Sequence, residues 1–289
     1  MRALSRNLIE KLRRLKLIAS DLDGTLLDDK GEISDTTRRS VGRLNDVGIL
    51  VAIMTARPHY SAERIADQLS MRTPIVSFEG DLIRLPHSSE NLRAKFIKSD
   101  VVRRVTAEAE KSLSSVALFV DDRIVRLESD WMLPHYIEAL GPEVTVVEDL
   151  LPFIARTIQL VIGSDSRRNI RSMARQASVP FSGVRTEIYS SAKQEERWYL
   201  EISGRHRSKA TGLEWLEKFY RVGKGEVAVL GDSSNDIAAF RRAGTRVAMK
   251  NAVHELKERA DIITESTNDD DGAAEFFDLV HEINSNNRN

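Results

Sequence analysis

A chain of 289 residues, of which 41 % are hydrophobic and 30 % are charged, has the composition of a globular protein and enough length for two domains. The formal net charge of −1 excludes a strong field that would recruit nucleic acid or an anionic membrane, so we predict neither as a partner. The absence of cysteine excludes disulfides, thiolate metal sites and a cysteine nucleophile, and it fits a reducing, cytoplasmic location.

The first residues, 1–16, are basic and carry leucines at helical spacing, which predicts a short amphipathic helix. They lack the continuous apolar stretch of a signal peptide, and no run in the chain approaches the ~18 apolar residues of a membrane span. Residues 15–19 then form a short apolar run with almost no charge. Such a run predicts a buried strand.

Two carboxylates follow this first strand. Asp21 and Asp23 are two positions apart on an extended backbone, so both side chains point to the same side just past the strand. Gly24 then allows a sharp turn. Because open α/β sheets bind ligands at the carboxyl ends of their strands, the pattern predicts a cation site that also holds a nucleophile.

Two simpler interpretations of this stretch compete with a catalytic one. An Asp-x-Asp-Gly sequence also opens calcium-binding loops, and Glu32 stands where such a loop has its last ligand. Leu26, however, stands where the calcium loop needs glycine, and the flank is typical of a strand rather than a helix. The other interpretation is a plain turn with surface aspartates.

The elements that follow alternate between helix and strand. We predict a helix at 34–47 capped by Ser34, a strand at 49–54, a helix from Pro58 through 69, a strand at 74–78 and a returning strand at 81–85. This order is typical of a parallel sheet that is covered on both faces.

After residue 85 the pattern changes to helices mixed with hairpins. Helices are predicted at 100–113, 131–140 and 167–176, and strands at 116–120, 124–127, 158–163, 187–191 and 198–202. Asp121 and Asp122 lie between two of these strands, where a hairpin turn explains them better than a metal site. This mixture predicts a separate α+β unit, whose boundaries fall near the polar residues 86–91 and near Gly204.

The α/β pattern returns for the rest of the chain. We predict a helix at 209–219, a strand at 227–230, a helix that ends at 242, strands at 247–248 and 261–264, and a helix at 272–283. The predicted fold is therefore an α/β core with a Rossmann-like parallel sheet, formed by residues 1–85 and 205–289, and an inserted α+β domain at 86–204.

A second acidic cluster lies beside the first in this arrangement. Asp232 follows the strand at 227–230, and Asp236 shares its face if a helix begins near Ser233. With Asp21 and Asp23, four carboxylates would meet at one sheet edge and repel each other unless a cation neutralises them. Oxygen ligands without thiolates or paired histidines favour Mg²⁺ over zinc.

Two further features predict phosphate binding. Thr55 ends the second strand with a hydroxyl group, and the N–H groups of Ala56 and Arg57 open the helix that begins with Pro58. The N-terminus of a helix binds anions through such donors and through the helix dipole. Lys209, at the start of its own helix, can add a positive charge, although a lone lysine is usually a solvated surface residue.

These pieces, in this order, resemble the four motifs of the haloacid dehalogenase superfamily of phosphohydrolases. The motifs are Asp21-Leu22-Asp23-Gly24-Thr25, then Thr55, then Lys209, then Gly231-Asp232-Ser233-Ser234-Asn235-Asp236. Met249-Lys250-Asn251-Ala252 and Asp269-Asp270-Asp271-Gly272 are similar to segments of its Cof-type, sugar-phosphatase-like subgroup. Residues 56–208 are far more than the core connection requires, so the insertion resembles the family's C2-type cap in its C2B form.

The resemblance implies a role for each matched residue. Asp21 would attack phosphorus and form an aspartyl-phosphate, and Asp23 would protonate the leaving oxygen and then deprotonate the attacking water. Other groups would hold the phosphate and the Mg²⁺. The phosphoryl oxygens would be held by Thr55, Ala56, Lys209 and Asn235, and the Mg²⁺ by Asp21, the Asp23 carbonyl, Asp232 and, directly or through water, Asp236.

The implied function is a magnesium-dependent phosphatase that hydrolyses phosphate monoesters of small metabolites, either sugar phosphates or phosphorylated acids. Two alternatives stay open: a phosphosugar mutase of the same fold, and a non-catalytic protein that binds phosphometabolites in a regulatory role. The sequence leaves the substrate and the oligomeric state open. Trp131, His135 and Trp198 are candidate specificity residues in the cap, although each is better explained as a packing residue.

The sequence also departs from the family pattern at three places. Ala56 replaces a common glycine, and Glu79 stands where related chains often have asparagine. A carboxylate at position 79 would repel phosphate unless it is paired, and we name Arg57 and Arg205 as possible partners. The basic run Arg205-His206-Arg207 either neutralises a second anionic group of the substrate or is a solvated loop.

Overall fold

A computed structural model describes residues 5–121, 123–128, 144–190 and 197–285. Asp122, Trp131, His135 and the predicted helix at 131–140 lie outside these ranges. The chain divides into two compact units. The first consists of Met1–Arg57, Ala62–Leu92 and Ser208–Asn289, and the second of Pro58–Ser61 and Arg93–Arg207.

The first unit contains a five-stranded parallel sheet with the strand order β14-β13-β12-β1-β2. Its strands are β1 (Leu17–Ser20), β2 (Leu50–Ile53), β12 (Val227–Gly231), β13 (Thr245–Ala248) and β14 (Ile262–Ile263). Helices cover it, as the strand–helix alternation predicted. They are Arg6–Arg13, Asp35–Asp46, His59–Gln68, Lys209–Tyr220, Ile237–Arg242, the short His254–Lys257, and Gly272–Ser285.

The register of this sheet places the carboxyl ends of β1, β2 and β12 side by side. Ser20, the last residue of β1, pairs with Leu230 on one side and with Ile53 on the other. A bridge between Met54 and Val76 adds β3 (Ile75–Ser77) beyond β2. The residues that follow β1, β2 and β12 therefore emerge at the same edge of the sheet.

Local sequence signals explain several of these boundaries. The Ser34 hydroxyl accepts the N–H of Thr37 and caps the helix Asp35–Asp46, as predicted. The Ser208 hydroxyl accepts the N–H of Ala210 in the same way, so Lys209 is the first residue of its helix. In β1 every side chain is buried, which agrees with its continuous apolar run.

The second unit has a six-stranded sheet with the order β10-β11-β9-β6-β7-β8. Its strands are β6 (Ser115–Val120), β7 (Arg123–Leu127), β8 (Val144–Val147), β9 (Thr157–Ser164), β10 (Val184–Ser190) and β11 (Trp198–Gly204). All pairs are antiparallel except β7 with β8. Helices Ser99–Lys111 and Arg167–Ala177 share one hydrophobic core with this sheet. The unit is α+β, as predicted.

A third, small sheet consists of β3, β4 (Leu82–Arg84) and β5 (Asn91–Ala94). The hairpin of β3 and β4 was predicted, whereas β5, β8 and the short helix His254–Lys257 were not. β5 and β8 are partly exposed and each forms the edge of its sheet, so their residues carry only a weak strand pattern. Among the described residues, no helix is both long enough and apolar enough to cross a lipid bilayer.

Gly212 determines how closely the helix Lys209–Tyr220 approaches β3. A Cβ atom at this position would lie 2.3 Å from Val76 Cγ1. We expect Gly212→Ala to lower the free energy of unfolding by about 1–3 kcal/mol, since a packed core resists an added methyl group. Gly42→Ala is the matched control in another helix, because a Cβ there meets nothing within 4 Å. Urea unfolding of both variants measures the difference, and equal midpoints would contradict the prediction.

Candidate active site

Asp21 and Thr55 emerge from neighbouring strands at the sheet edge. The N–H of Asp21 donates to the Leu230 carbonyl (3.1 Å), which extends the β1–β12 ladder by one residue. The N–H of Thr55 donates to the Val76 carbonyl (2.8 Å). Both side chains are buried, with 5 % of Asp21 and 1 % of Thr55 exposed. Backbone hydrogen bonds to the neighbouring strands therefore hold the main chain of both residues at the sheet edge.

Lys209 joins Asp21 to the second acidic cluster. Its Nζ lies 2.7 Å from Asp21 Oδ2 and 2.7 Å from Asp236 Oδ1, and the lysine has no exposed surface. The other Asp21 oxygen accepts the N–H of Leu22 at 2.8 Å. A buried ammonium is stable only when it is paired, so the two carboxylates and the lysine form one charged unit.

Asp236 has a different setting from the one we predicted. The structure has a tight turn at Ser234–Asp236 and begins the helix at Ile237, rather than a regular helix from Ser233. In this turn Asp236 Oδ2 accepts the N–H groups of Asp232 and Ser233, each at 3.2 Å. The carboxylate also packs on Gly231, where an added Cβ would lie 2.4 Å from its Cγ. Asp236 therefore connects Lys209 to the backbone of Asp232 and Ser233.

Burial and a neighbouring charge raise the pKa values of both Asp21 and Asp232. Burial raises the pKa of Asp21 to about 7, although Lys209 opposes the shift, and Asp236 adds to it. Burial and then Asp236 raise the pKa of Asp232 to about 6, against the effect of Lys209. Burial by itself would lower the pKa of Lys209, but the charges and hydrogen bonds of Asp21 and Asp236 outweigh burial and raise it.

Three of the predicted metal ligands lie together. Asp21, Asp232 and Asp236 each offer a carboxylate oxygen, and these atoms lie within 4.8 Å of one another. Burial is the main cause of the raised pKa values of Asp21 and Asp232, and the nearby Asp236 carboxylate adds to both shifts. An all-oxygen donor set of this kind suits a hard divalent cation.

Asp23, the fourth predicted ligand, has its side chain outside this cluster. Its two oxygens accept hydrogen bonds from Arg57: Nε lies 2.8 Å from Oδ2, and Nη2 contacts Oδ1. The Asp23 side chain is 56 % exposed. The sequence predicts a role only for the N–H of Arg57 and a possible pairing of its side chain with Glu79, so its contact with Asp23 is unexpected. The spacing of Asp21 and Asp23 along the chain does not predict which side chain pairs with Asp23.

The predicted phosphate-binding groups occupy the same part of the first unit. Thr55 Oγ1 accepts the N–H of Arg57 at 3.1 Å, and Ala56 is exposed. Asn235 Oδ1 accepts the Ser233 hydroxyl at 2.7 Å, and its Nδ2 donates to Glu79 Oε1 at 3.4 Å. The amide of Asn235 therefore contacts the carboxylate for which we had named Arg57 and Arg205 as partners.

Glu79 lies in an unusual backbone turn. The φ angles of Phe78, Glu79 and Gly80 are all positive, at 47°, 52° and 98°. The N–H groups of Phe78 and Glu79 donate to the carbonyls of Arg57 (3.1 Å) and Thr55 (2.8 Å), and a Cβ on Gly80 would lie 2.9 Å from the Ser208 carbonyl. This turn thus packs between the Thr55 loop and the start of the Lys209 helix.

The basic run at 205–207 is tied to the second unit. Arg207 donates from Nη1 to Gln159 Oε1 and from Nη2 to Glu201 Oε1, each at 2.7 Å. Arg205 Nε donates to the Val184 carbonyl at 3.2 Å. Arg207 is therefore part of a polar network on β9 and β11 rather than a residue of a solvated loop.

Comparison with known proteins identifies the family of the chain. The haloacid dehalogenase-like hydrolase family matches residues 18–277 of the chain. The chain belongs to this family. The resemblance predicted from the four motifs is confirmed.

Two Bacillus subtilis proteins are among the similar sequences. The 5-amino-6-(5-phospho-D-ribitylamino)uracil phosphatase YitU is 30 % identical, over 90 % of this chain and 96 % of that protein. YwtE, which is also named a 5-amino-6-(5-phospho-D-ribitylamino)uracil phosphatase, is 29 % identical over 92 % of this chain and 98 % of that protein. With relatives of this kind over nearly its whole length, the haloacid dehalogenase-like chain is a phosphatase.

Solved structures show the same fold. A haloacid dehalogenase-like hydrolase from Bacteroides thetaiotaomicron has a TM-score of 0.78 and 28 % identity, and covers 92 % of this chain and 99 % of its own. The protein TM0651 from Thermotoga maritima has a TM-score of 0.79 and 25 % identity, with 92 % and 97 % coverage. The predicted α/β core with an added α+β unit is thereby confirmed.

The raised pKa of Asp21 predicts how the stability of the metal-free phosphatase depends on pH. Burial raises the pKa of Asp21 to about 7 in the folded protein, whereas the ordinary value of about 3.8 applies in the unfolded chain. We therefore expect this carboxyl to reduce stability as the pH rises through that window. Asp21→Asn cannot ionise, so the difference between its melting temperature in EDTA and that of the wild type should shift in favour of the variant between about pH 4 and pH 7.

Asp278→Asn is the control for this experiment. Asp278 pairs with Arg43 at the surface, and its side chain is 42 % exposed. The same change of charge there should leave the pH dependence of the melting temperature close to that of the wild type, because exposed pairs contribute little. A constant difference between Asp21→Asn and wild type at every pH would contradict the prediction.

Proposed function

We propose that the chain is a Mg²⁺-dependent phosphatase that hydrolyses phosphate monoesters of small metabolites through an aspartyl-phosphate on Asp21. The observation that carries the proposal is the buried Asp21, which lies 2.7 Å from Lys209 and within reach of the oxygens of Asp232 and Asp236. A carboxylate in this position is a nucleophile whose charge is costly until positive groups stabilise it.

The residues divide the reaction into two displacements. In the first, an oxygen of Asp21 forms a bond to phosphorus as the ester oxygen leaves, and Asp23 gives that oxygen a proton. In the second, water gives its proton to Asp23 and attacks phosphorus, which breaks the Asp21–phosphorus bond and releases phosphate. Thr55, Lys209, Asn235 and the N–H of Ala56 hold the phosphoryl oxygens.

The donor set supports Mg²⁺ as the cation of this site. When bound, Mg²⁺ supplies positive charge that stabilises the transferring phosphoryl group. We assign Asp21, the Asp23 carbonyl and Asp232 as its ligands. Asp236 already accepts three hydrogen bonds, from Lys209, Asp232 and Ser233, so we assign it a contact through water.

The substrate class follows from the relatives rather than from the site. YitU and YwtE are named for a substrate with a phosphorylated ribityl chain. We propose a substrate of similar chemistry, a phosphate monoester on a small polyhydroxylated metabolite. The division of the chain into a catalytic core at 1–85 and 205–289 and a cap at 86–204 is part of this proposal.

A panel of phosphorylated metabolites tests the proposal. With Mg²⁺, wild-type protein should release phosphate from sugar and polyol phosphates, and EDTA should abolish release. Asp21→Asn should lower kcat by at least about 10³-fold, since it removes the nucleophile. Isomer formation without phosphate release would point to a mutase instead. Wild-type turnover by Asp21→Asn, free of contaminating phosphatase, would show that Asp21 is not the nucleophile.

Arg57 should matter for the proton transfers more than for substrate binding. Because it contacts both oxygens of Asp23, Arg57→Ala should lower kcat by about 10- to 100-fold, less than loss of the acid itself, with a small change in KM. Arg38→Ala is the matched control, since Arg38 also pairs with an aspartate, Asp35, but on an exposed helix face. Equal kcat values for the two variants would contradict a role for Arg57.

A further inference from the structure

The segment at 249–253 contacts the fourth motif through its backbone. The N–H of Met249 donates to the Gly231 carbonyl (3.0 Å), and the N–H of Val253 donates to the Asp232 carbonyl (2.8 Å). These two bonds lie on either side of Asn251, the asparagine of the Met249-Lys250-Asn251-Ala252 segment. The position of Asn251 is therefore fixed relative to Asp232.

The side chain of Asn251 reaches the first motif. Its Nδ2 donates to the Gly24 carbonyl at 2.8 Å, and its Oδ1 accepts the N–H of Asn268 at 3.1 Å. Gly24 directly follows Asp23. Asn251 is thus a direct link between the loop that carries Asp21 and Asp23 and the loop that carries Asp232.

Asn268 holds the same loop a few residues further on. Its Nδ2 donates to the Leu27 carbonyl and to Asp29 Oδ1, each at 3.1 Å. The N–H of Asp29 in turn donates to Asp269 Oδ1 at 2.8 Å. The side-chain amide groups of Asn251 and Asn268 therefore both donate hydrogen bonds to the backbone of the first-motif loop.

The two motifs approach each other closely at this link. A Cβ on Gly24 would lie 2.4 Å from Asp232 Oδ2, and Gly24 has a φ of +70°. The Thr25 hydroxyl donates to Asp232 Oδ1 at 3.5 Å. With so little free space, a small shift of the Gly24 loop changes the separation of Asp232 from Asp21 and from the Asp23 carbonyl.

We propose that Asn251 is a positioning residue that sets this separation and thereby the affinity of the site for a divalent cation. The inference rests on the proposed function. The side chain of Asn251 contacts the backbone of the loop that carries Asp21 and Asp23, and not their carboxylates. Residues that orient metal ligands in this way commonly change metal affinity when they are removed.

Metal binding without substrate tests the inference. Free Mn²⁺ is measured by electron paramagnetic resonance during titration of the metal-free full-length protein, and Mg²⁺ is added as a competitor. We expect Asn251→Ala to raise the dissociation constant for Mn²⁺ about tenfold. Asn284→Ala is the matched control, because Asn284 Nδ2 also donates to backbone carbonyls, those of Leu12 (3.2 Å) and Val280 (2.8 Å), in another part of the unit.

The outcomes separate this inference from the proposed function. A tenfold weaker Mn²⁺ affinity in Asn251→Ala alone, with melting temperatures of the two variants alike, supports the positioning role. If both variants bind Mn²⁺ as the wild type does, Asn251 has no such role, while wild-type phosphatase activity with Mg²⁺ would still support the proposed function. A wild-type protein that binds no Mn²⁺ overturns the inference, and activity in EDTA would then show that the proposed metal dependence is wrong as well.

Discussion

The ion pair of Lys209 with Asp21 and Asp236 determines the arrangement of the whole site. The ammonium is completely buried and lies 2.7 Å from both carboxylates. Removing one partner of a buried ion pair costs about 3–5 kcal/mol, so each of the three groups depends on the others. Lys209 is also the first residue of its helix, which Ser208 caps, and Gly212 allows that helix to approach Val76 of β3 closely. Apolar packing at Gly212 thus affects the surroundings of Asp21, the proposed nucleophile.

Much of this site could be predicted because it depends on strand ends. Apolar runs located β1, β2 and β12, and the register of a parallel sheet brings the residues after them to one edge. Asp21, Thr55 and Asp232 were therefore expected near one another before any distance was known. Lys209 does not follow a strand of the sheet, so its position in the sequence does not predict that it lies near Asp21. Only the resemblance to the family predicts this.

The side-chain partners could not be predicted in the same way. Arg57 and Arg205 are the possible partners predicted for Glu79, and the contact of Arg57 with Asp23 is not predicted. The helix predicted at Asp236 is instead a tight turn in which both carboxylate oxygens accept hydrogen bonds. Surface ion pairs differ by less than about 1 kcal/mol, so sequence order does not choose among several charges within reach. The three positive φ angles around Glu79 depend on contacts with residues that are distant in the sequence.

The unequal surroundings of Asp21 and Asp23 are the physical basis for giving them unequal roles. Asp21 is 5 % exposed with a raised pKa, whereas the Asp23 side chain is 56 % exposed and held by a guanidinium group. A buried carboxylate with poor solvation gains most from bonding to phosphorus, because that bond removes its charge. An exposed one can exchange a proton with a leaving oxygen and then with water. In the proposed mechanism, two identical side chains two positions apart therefore have different roles because one is buried and the other is exposed.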